Sequence, residues 1–293
     1  MPSSRFLLAL GSGLLCIAAP MRAFAQGNQT PPTPQQDSMR TAQRFDVNGE
    51  HPAARAIFQA LIDGAATPAA KAAAQRRMAM SYAFAGDCDN TVRYEEMVIA
   101  YWKTREAAEP QNAFYQQGEM ANEAARICID LGKLNIAERL YRRGSALGLR
   151  EPEPKTHPKS LWDFRLAHAL GRIEARRGKA VKAREYVAEA RRILDADTVM
   201  AAQQARFHPY LVGYVALHTK DLVTAESELT KALAISGNAT DPFLHVLLGM
   251  THEQKGDATA ARPFFQKGYD LSTGHNPPAA FSRPFTRKKL GIS

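Results

Sequence analysis

Residues 241–274 read DPFLHVLLGMTHEQKGDATAARPFFQKGYDLSTG. Apolar side chains recur at helical spacing up to Met250, the chain breaks at Lys255-Gly256-Asp257, and a second amphipathic stretch follows. Glycine suits such a break because it tolerates the left-handed backbone that closes a helix. Counted from Gly256, a small residue (Gly249) stands seven positions before, an alanine (Ala261) five after and a bulky apolar residue (Phe265) nine after.

That frame repeats along the chain. Breaks at Gly49, Gly86, Gly132, Gly178 and Lys220 carry Ala42, Ala79, Ala125, Gly171 and Gly213 seven residues before. Ala54, Thr91, Ala137, Ala183 and Ala225 stand five after, and Phe58, Glu95, Tyr141, Val187 and Leu229 nine after. Helix–helix distance is set by the side chains at the contact, so the small columns let paired helices approach and the large column fills the groove beside them. No run of alternating β-branched residues interrupts the pattern, and the expectation is an all-α chain of about six helical hairpins. Glu95 departs from its column, which makes the second hairpin the weakest match.

These columns, and residues 241–274 most closely, resemble the tetratricopeptide repeat (TPR) family; the likeness covers most of the chain and extends to exported bacterial TPR proteins of unassigned role. It implies a right-handed superhelical solenoid whose first helices line a concave, partner-binding surface. Successive breaks lie 37, 46, 46, 42 and 36 residues apart, against the family's usual ~34. The surplus is placed in longer helices at 90–108 and 111–131, a proline-rich loop at 151–158 and an odd helix at 198–207 that ends or kinks before Pro209. Residues 275–293 are expected to cap the last hairpin, with a short helix at 284–290.

The first residues carry an address. Arg5, the apolar run 6–19 and Ala23-Phe24-Ala25 fit a secretory signal peptide ending at residue 25. Cys16 follows Leu14-Leu15, whereas a lipoprotein signal asks for a small residue there. Residues 26–36, polar and proline-rich, read as a flexible leader, so the repeat domain is expected over 37–274 and the destination as the periplasm, with secretion or surface attachment as variants. Cleavage removes Arg5 and Arg22 and no acid, so the net charge falls from +9 to +7. That moderate surplus does not point to nucleic acid; it suits an acidic partner, an anionic surface or plain solubility.

What the TPR resemblance implies for the site follows from its concave face. Projected onto that face, the first helices present Arg76, Asn122, Arg126, Arg165, His168, Arg172 and Arg176. A guanidinium matches a carboxylate as a planar fork, and several in one concavity focus positive potential. Family members that clamp acidic peptides use Lys, Arg and Asn there, so the expected partner is a protein or peptide, acidic in character. The bland alternative is arginines solvating an exposed face. Phe207, Tyr210, Tyr214 and Phe243 are candidate aromatic anchors, although aromatics at helical spacing are more often core. The tail cations Arg283, Arg287, Lys288 and Lys289 offer a rival reading, an envelope assembly factor held at an anionic membrane or wall surface.

No catalytic signature or cofactor motif is complete. His252-Glu253 begins a zinc-protease pattern, but Gly256 replaces its second histidine; Gly178-Lys179 lacks the first glycine and the hydroxyl of a phosphate loop. The reading is therefore a binding protein without enzymatic activity and without cofactor. Cys88 and Cys128 fall towards one end of neighbouring hairpins. Either they form a disulfide, the favoured reading in an oxidising compartment, or one is a small buried residue and the other a half-exposed thiol.

Overall fold

The structure, a computed structural model, describes residues 33–292. The expected signal peptide, Cys16 and most of the leader lie outside the described residues. Among the described residues there are fourteen α-helices and no strand. Helices α1 (Pro34–Asn48) and α2 (His51–Asp63) form the first hairpin, α3 (Pro68–Phe84) and α4 (Cys88–Lys103) the second, α5 (Pro110–Asp130) and α6 (Leu134–Gly148) the third, α7 (Lys159–Arg176) and α8 (Ala180–Ala196) the fourth. The odd segment is α9 (Thr198–Gln204) running into a 3-10 turn, Ala205–Phe207. The fifth hairpin is α10 (His208–His218) with α11 (Leu222–Ala234), the sixth α12 (Pro242–Gln254) with α13 (Ala258–Leu271), and α14 (Pro277–Leu290) ends the described chain. Each helix up to α13 packs chiefly on its neighbours in sequence.

All six breaks have the left-handed backbone, with φ between 69° and 90°; Lys220 is the one non-glycine with positive φ among the described residues. The columns pack as their sizes dictate. A Cβ on Gly213 would stand 2.6 Å from Leu229 Cγ, and one on Gly249 would stand 2.5 Å from Phe265 Cε1, so each glycine makes room for the large residue of its partner helix. In the second hairpin Thr91 Oγ1 donates to the carbonyl of Ala79, 3.3 Å away, joining the two small columns by a hydrogen bond. The core is built in segments along the stack, one shared by α5, α6 and α7, another by α7, α8 and α10, another by α10, α11 and α12.

Four boundaries differ from expectation. Helix α1 begins at Pro34, inside the expected leader, because Thr33 and Gln36 form a capping box and proline suits the first turn. Helices α4 and α5 end at Lys103 and Asp130, short of the expected limits. The terminal helix is twice as long as expected, starting at Pro277 under an Asn276 cap and carrying Pro284 in its interior. It packs on the last hairpin and also reaches beyond it. Besides α12 and α13, α14 packs on α1, α3 and α5, so the last segment of the chain crosses to the first three hairpins.

That crossing is tied by specific bonds. His275 Nε2 reaches Asp46 Oδ2 at 2.9 Å, Arg77 donates to the His275 carbonyl at 3.0 Å, Arg283 to Val47 O at 3.1 Å and Arg287 to Asn48 O at 2.7 Å. Ala279 and Ala280 bury against Met80, Ala83, Phe84 and Ile127. Alanine at this contact brings the α14 backbone close to α3 and α5. Lys289 pairs with Glu253, and Lys288 is exposed. Most of the tail cations that the rival reading assigned to an anionic surface are therefore bonded to the body of the protein. Cys88, at the start of α4, and Cys128, in α5, are joined as a disulfide with Cα atoms 5.2 Å apart, linking the second and third hairpins.

Candidate functional site

First helices of successive hairpins surround a cavity of about 330 Å³. Helix α5 contributes Glu119, Asn122, Glu123 and Arg126, α7 contributes Phe164, Arg165, His168 and Arg172, and Tyr210, Asp241 and Leu244 come from the α10 and α12 region, with Pro277 of α14 at the wall. Helical spacing brings 119, 122, 123 and 126 to one face, three and four residues apart.

Six of the nine expected partner-binding residues line this cavity: Asn122, Arg126, Arg165, His168, Arg172 and Tyr210; Arg76, Arg176 and Tyr214 do not. Phe207 also lines it, whereas Phe243 and Tyr214 are core residues, 2% and 1% exposed. The stripe is also less basic than expected. Arg165 pairs with Glu119 and Arg76 with Glu123, so acids on α5 neutralise two of the cations. Asp241 adds a third carboxylate to the wall while its Oδ1 caps α12. Glu119 and Glu123 were legible: they share the α5 face of Asn122 and Arg126, and a projection confined to cations and amides passes over them.

Arg172 is 4% exposed and acts from within. It donates to Tyr210 Oη at 3.0 Å and to Tyr141 Oη at 2.9 Å, joining the third, fourth and fifth hairpins. Its guanidinium also lies over the rings of Tyr141, Tyr210 and Tyr214. This is packing in the floor of the cavity, a different role from the expected exposed clamp. His168 is 9% exposed; burial first, then Arg172 and Arg126, hold its imidazole well below the usual range, so it is neutral.

Arg126 differs from its neighbours. Among the described residues no carboxylate lies within ion-pair distance of it, its Nε is buried without a hydrogen-bond partner, and its guanidinium carbon stands 5.2 Å over the ring of Phe243. It is half-buried and at the cavity, and the carboxylate it faces, Asp130, lies beyond ion-pair distance. Asn122 Oδ1 is likewise buried and unpartnered. A buried donor without an acceptor costs free energy that a ligand can recover. Around the same cavity the Asn238 side chain is committed, donating to Arg206 O and Ala232 O at 3.0 Å each.

No protein-family profile matches the sequence, and no curated protein matches it either.

Proposed function

We propose that the protein is a TPR-like, right-handed superhelical scaffold of the cell envelope, exported through residues 1–25, that binds a partner protein and catalyses no reaction. The partner contributes an acidic segment, and one of its carboxylates enters the cavity between α5, α7 and α12. The observation that carries this reading is Arg126, a half-buried guanidinium at a cavity of about 330 Å³ with no carboxylate of the described residues within ion-pair distance. A carboxylate placed there would gain charge-assisted hydrogen bonds in a partly desolvated setting. Phe207 and Leu244 offer apolar contact next to it.

The membrane-surface alternative draws less support, because Arg283, Arg287 and Lys289 are bonded within the protein. The test is a crosslinking pull-down from the native envelope fraction, comparing the mature chain with Arg126→Ala. Arg126 is the informative position, since Arg172→Ala would also break the Tyr141–Arg172–Tyr210 tie. A partner captured by the native chain and lost by the variant supports the reading; equal capture overturns the site.

A further inference from the structure

The wall of the Arg126 cavity carries three carboxylates, Glu119, Glu123 and Asp241, and three guanidiniums, Arg126, Arg165 and Arg172, so its formal charge is zero. Such a wall does not gather simple anions from a distance. Four of these groups are committed within the protein. Glu119 pairs with Arg165, Glu123 pairs with Arg76, and Arg172 is held between the hydroxyls of Tyr141 and Tyr210. Arg126 and Asp241 are left, and they are of opposite sign.

Both of these groups present open polar atoms to the cavity. Asp241, half-buried at the start of α12, accepts from the Phe243 N–H at 2.9 Å through Oδ1. Its Oδ2 makes no hydrogen bond among the described residues and, unlike Asn122 Oδ1, is not sealed from solvent. No cation of the described residues lies within ion-pair distance of it. The helix start beside it supplies about half a positive charge, which leaves part of the carboxylate unmatched. The Nη1 and Nη2 groups of Arg126 are open in the same way; only Nε is sealed. Arg126 stands 5.2 Å over the ring of the same Phe243 whose N–H Asp241 holds. The two uncommitted charges therefore flank one residue on one cavity wall, beyond ion-pair distance of each other, where a single ligand can meet both.

We propose that the partner segment received here is dipolar, with one carboxylate on Arg126 and, close to it in sequence, a lysine or arginine on Asp241. This rests on the reading that a carboxylate enters at Arg126, and it adds the identity of the neighbouring residue. A second carboxylate in that place would face Asp241, Glu119 and Glu123, a like-charge contact that rejects wrong partners. Phe207, Leu244 and Pro277 give the apolar stem of the cation a surface to lie on.

The experiment is isothermal titration of the mature chain with three capped peptides, acetyl-Glu-Leu-Lys-amide, acetyl-Glu-Leu-Gln-amide and acetyl-Glu-Leu-Glu-amide, each also in the reverse order. In the better order the lysine peptide is expected to bind about fivefold more tightly than the glutamine peptide, the ratio that one half-exposed ion pair supplies, with the double acid weakest. Asp241→Asn keeps an oxygen for the helix cap and removes the charge; it is expected to bring the lysine and glutamine peptides to one affinity with the melting temperature unchanged. Arg126→Ala is expected to weaken all three. Equal affinities of the lysine and glutamine peptides for the native chain, or a lysine preference that survives Asp241→Asn, would overturn the dipolar proposal, while weakening by Arg126→Ala would still uphold the carboxylate site. Binding that is indifferent to Arg126→Ala, or absent at millimolar peptide, would overturn both.

Discussion

Asp46 and His275 meet at 2.9 Å although 229 residues separate them. Asp46 is 1% exposed and also accepts from Ser81 Oγ at 2.8 Å and bonds His51 Nδ1 at 3.1 Å. Burial would raise its carboxyl; the hydrogen bonds from His275, His51 and Ser81 outweigh it and hold the group below its ordinary range. Burial also pushes His275 down, more than Asp46 lifts it, so a neutral imidazole donates to a carboxylate. Asp46→Ala leaves Ser81 and two histidines without their acceptor. The expected loss is about 2–4 kcal/mol by urea unfolding, with cleavage by trypsin at Arg287 and Lys288 appearing before the rest of the chain opens. Native-like resistance of the tail in this variant would deny the contact its role.

The same direction of shift governs acid stability. His168, His208, His218 and His275 are all lowered, burial being the first cause in each, with His218 pushed down to about 3. A lowered histidine means the unfolded chain binds more protons between the folded value and about 6.5. Stability from these groups is therefore complete above about 6.5 and falls as the pH drops below it, ahead of the carboxylate region. Urea midpoints at pH 7.5, 6 and 5 are expected to decline stepwise, and His218→Gln to flatten the decline. A flat profile would place these histidines in contact with water.

Glu95 should work the other way. It is 1% exposed, neither carboxylate oxygen has a hydrogen-bond partner, and it fills a column that is apolar in the other five hairpins. Burial first and Glu123 next raise its carboxyl well above the usual range, against Arg76. A raised carboxyl costs stability as the pH climbs beyond its unfolded value of about 4.3. Glu95→Leu is expected to stabilise the protein by about 1–3 kcal/mol at pH 8 and by less at pH 5. A loss at both values would give Glu95 a structural partner that its surroundings do not display.

Lys220 pays the left-handed cost that glycine avoids at the other breaks, with φ 69°. That cost is about 1–2 kcal/mol, offset by about 0.4–1 kcal/mol for the greater freedom of unfolded glycine. Lys220→Gly is expected to raise stability by about 0.5 kcal/mol, read as a small upward shift in urea midpoint with an unchanged slope.

The Cys88–Cys128 bond spans 40 residues. Closing a loop of that length in the unfolded chain is worth about 2–4 kcal/mol. The Cys88→Ala/Cys128→Ala protein is expected to unfold at correspondingly lower urea, and reduction of the native chain to give the same midpoint. Identical midpoints for oxidised and reduced protein would mean the bond constrains little.

Hairpin number, break positions and the left-handed glycines were legible because each is a local property of a few residues at fixed spacing. Gly213 against Leu229 and Gly249 against Phe265 are examples in which the sequence columns are the contact itself. The floor of the cavity was legible only in part, since projection onto a helix face ranks side chains by direction and not by depth. Arg172 and His168 point the expected way and lie beneath their neighbours. The crossing of α14 was not legible at all. Its contacts with Asp46, Arg77, Val47 and Asn48 join residues roughly two hundred positions apart, and no periodicity encodes that distance.

An open stack of repeats tolerates the gain or loss of a unit, because each unit meets only its two neighbours. Here α14 must span from the sixth hairpin to the first, and its length is fixed by the fourteen residues between Pro277 and Leu290. Duplicating or deleting one hairpin would carry His275 away from Asp46 and part Ala280 from Ile127. The number of hairpins is thus tied to the fit of α14 against α1, α3 and α5, whereas the loops between hairpins carry no such constraint.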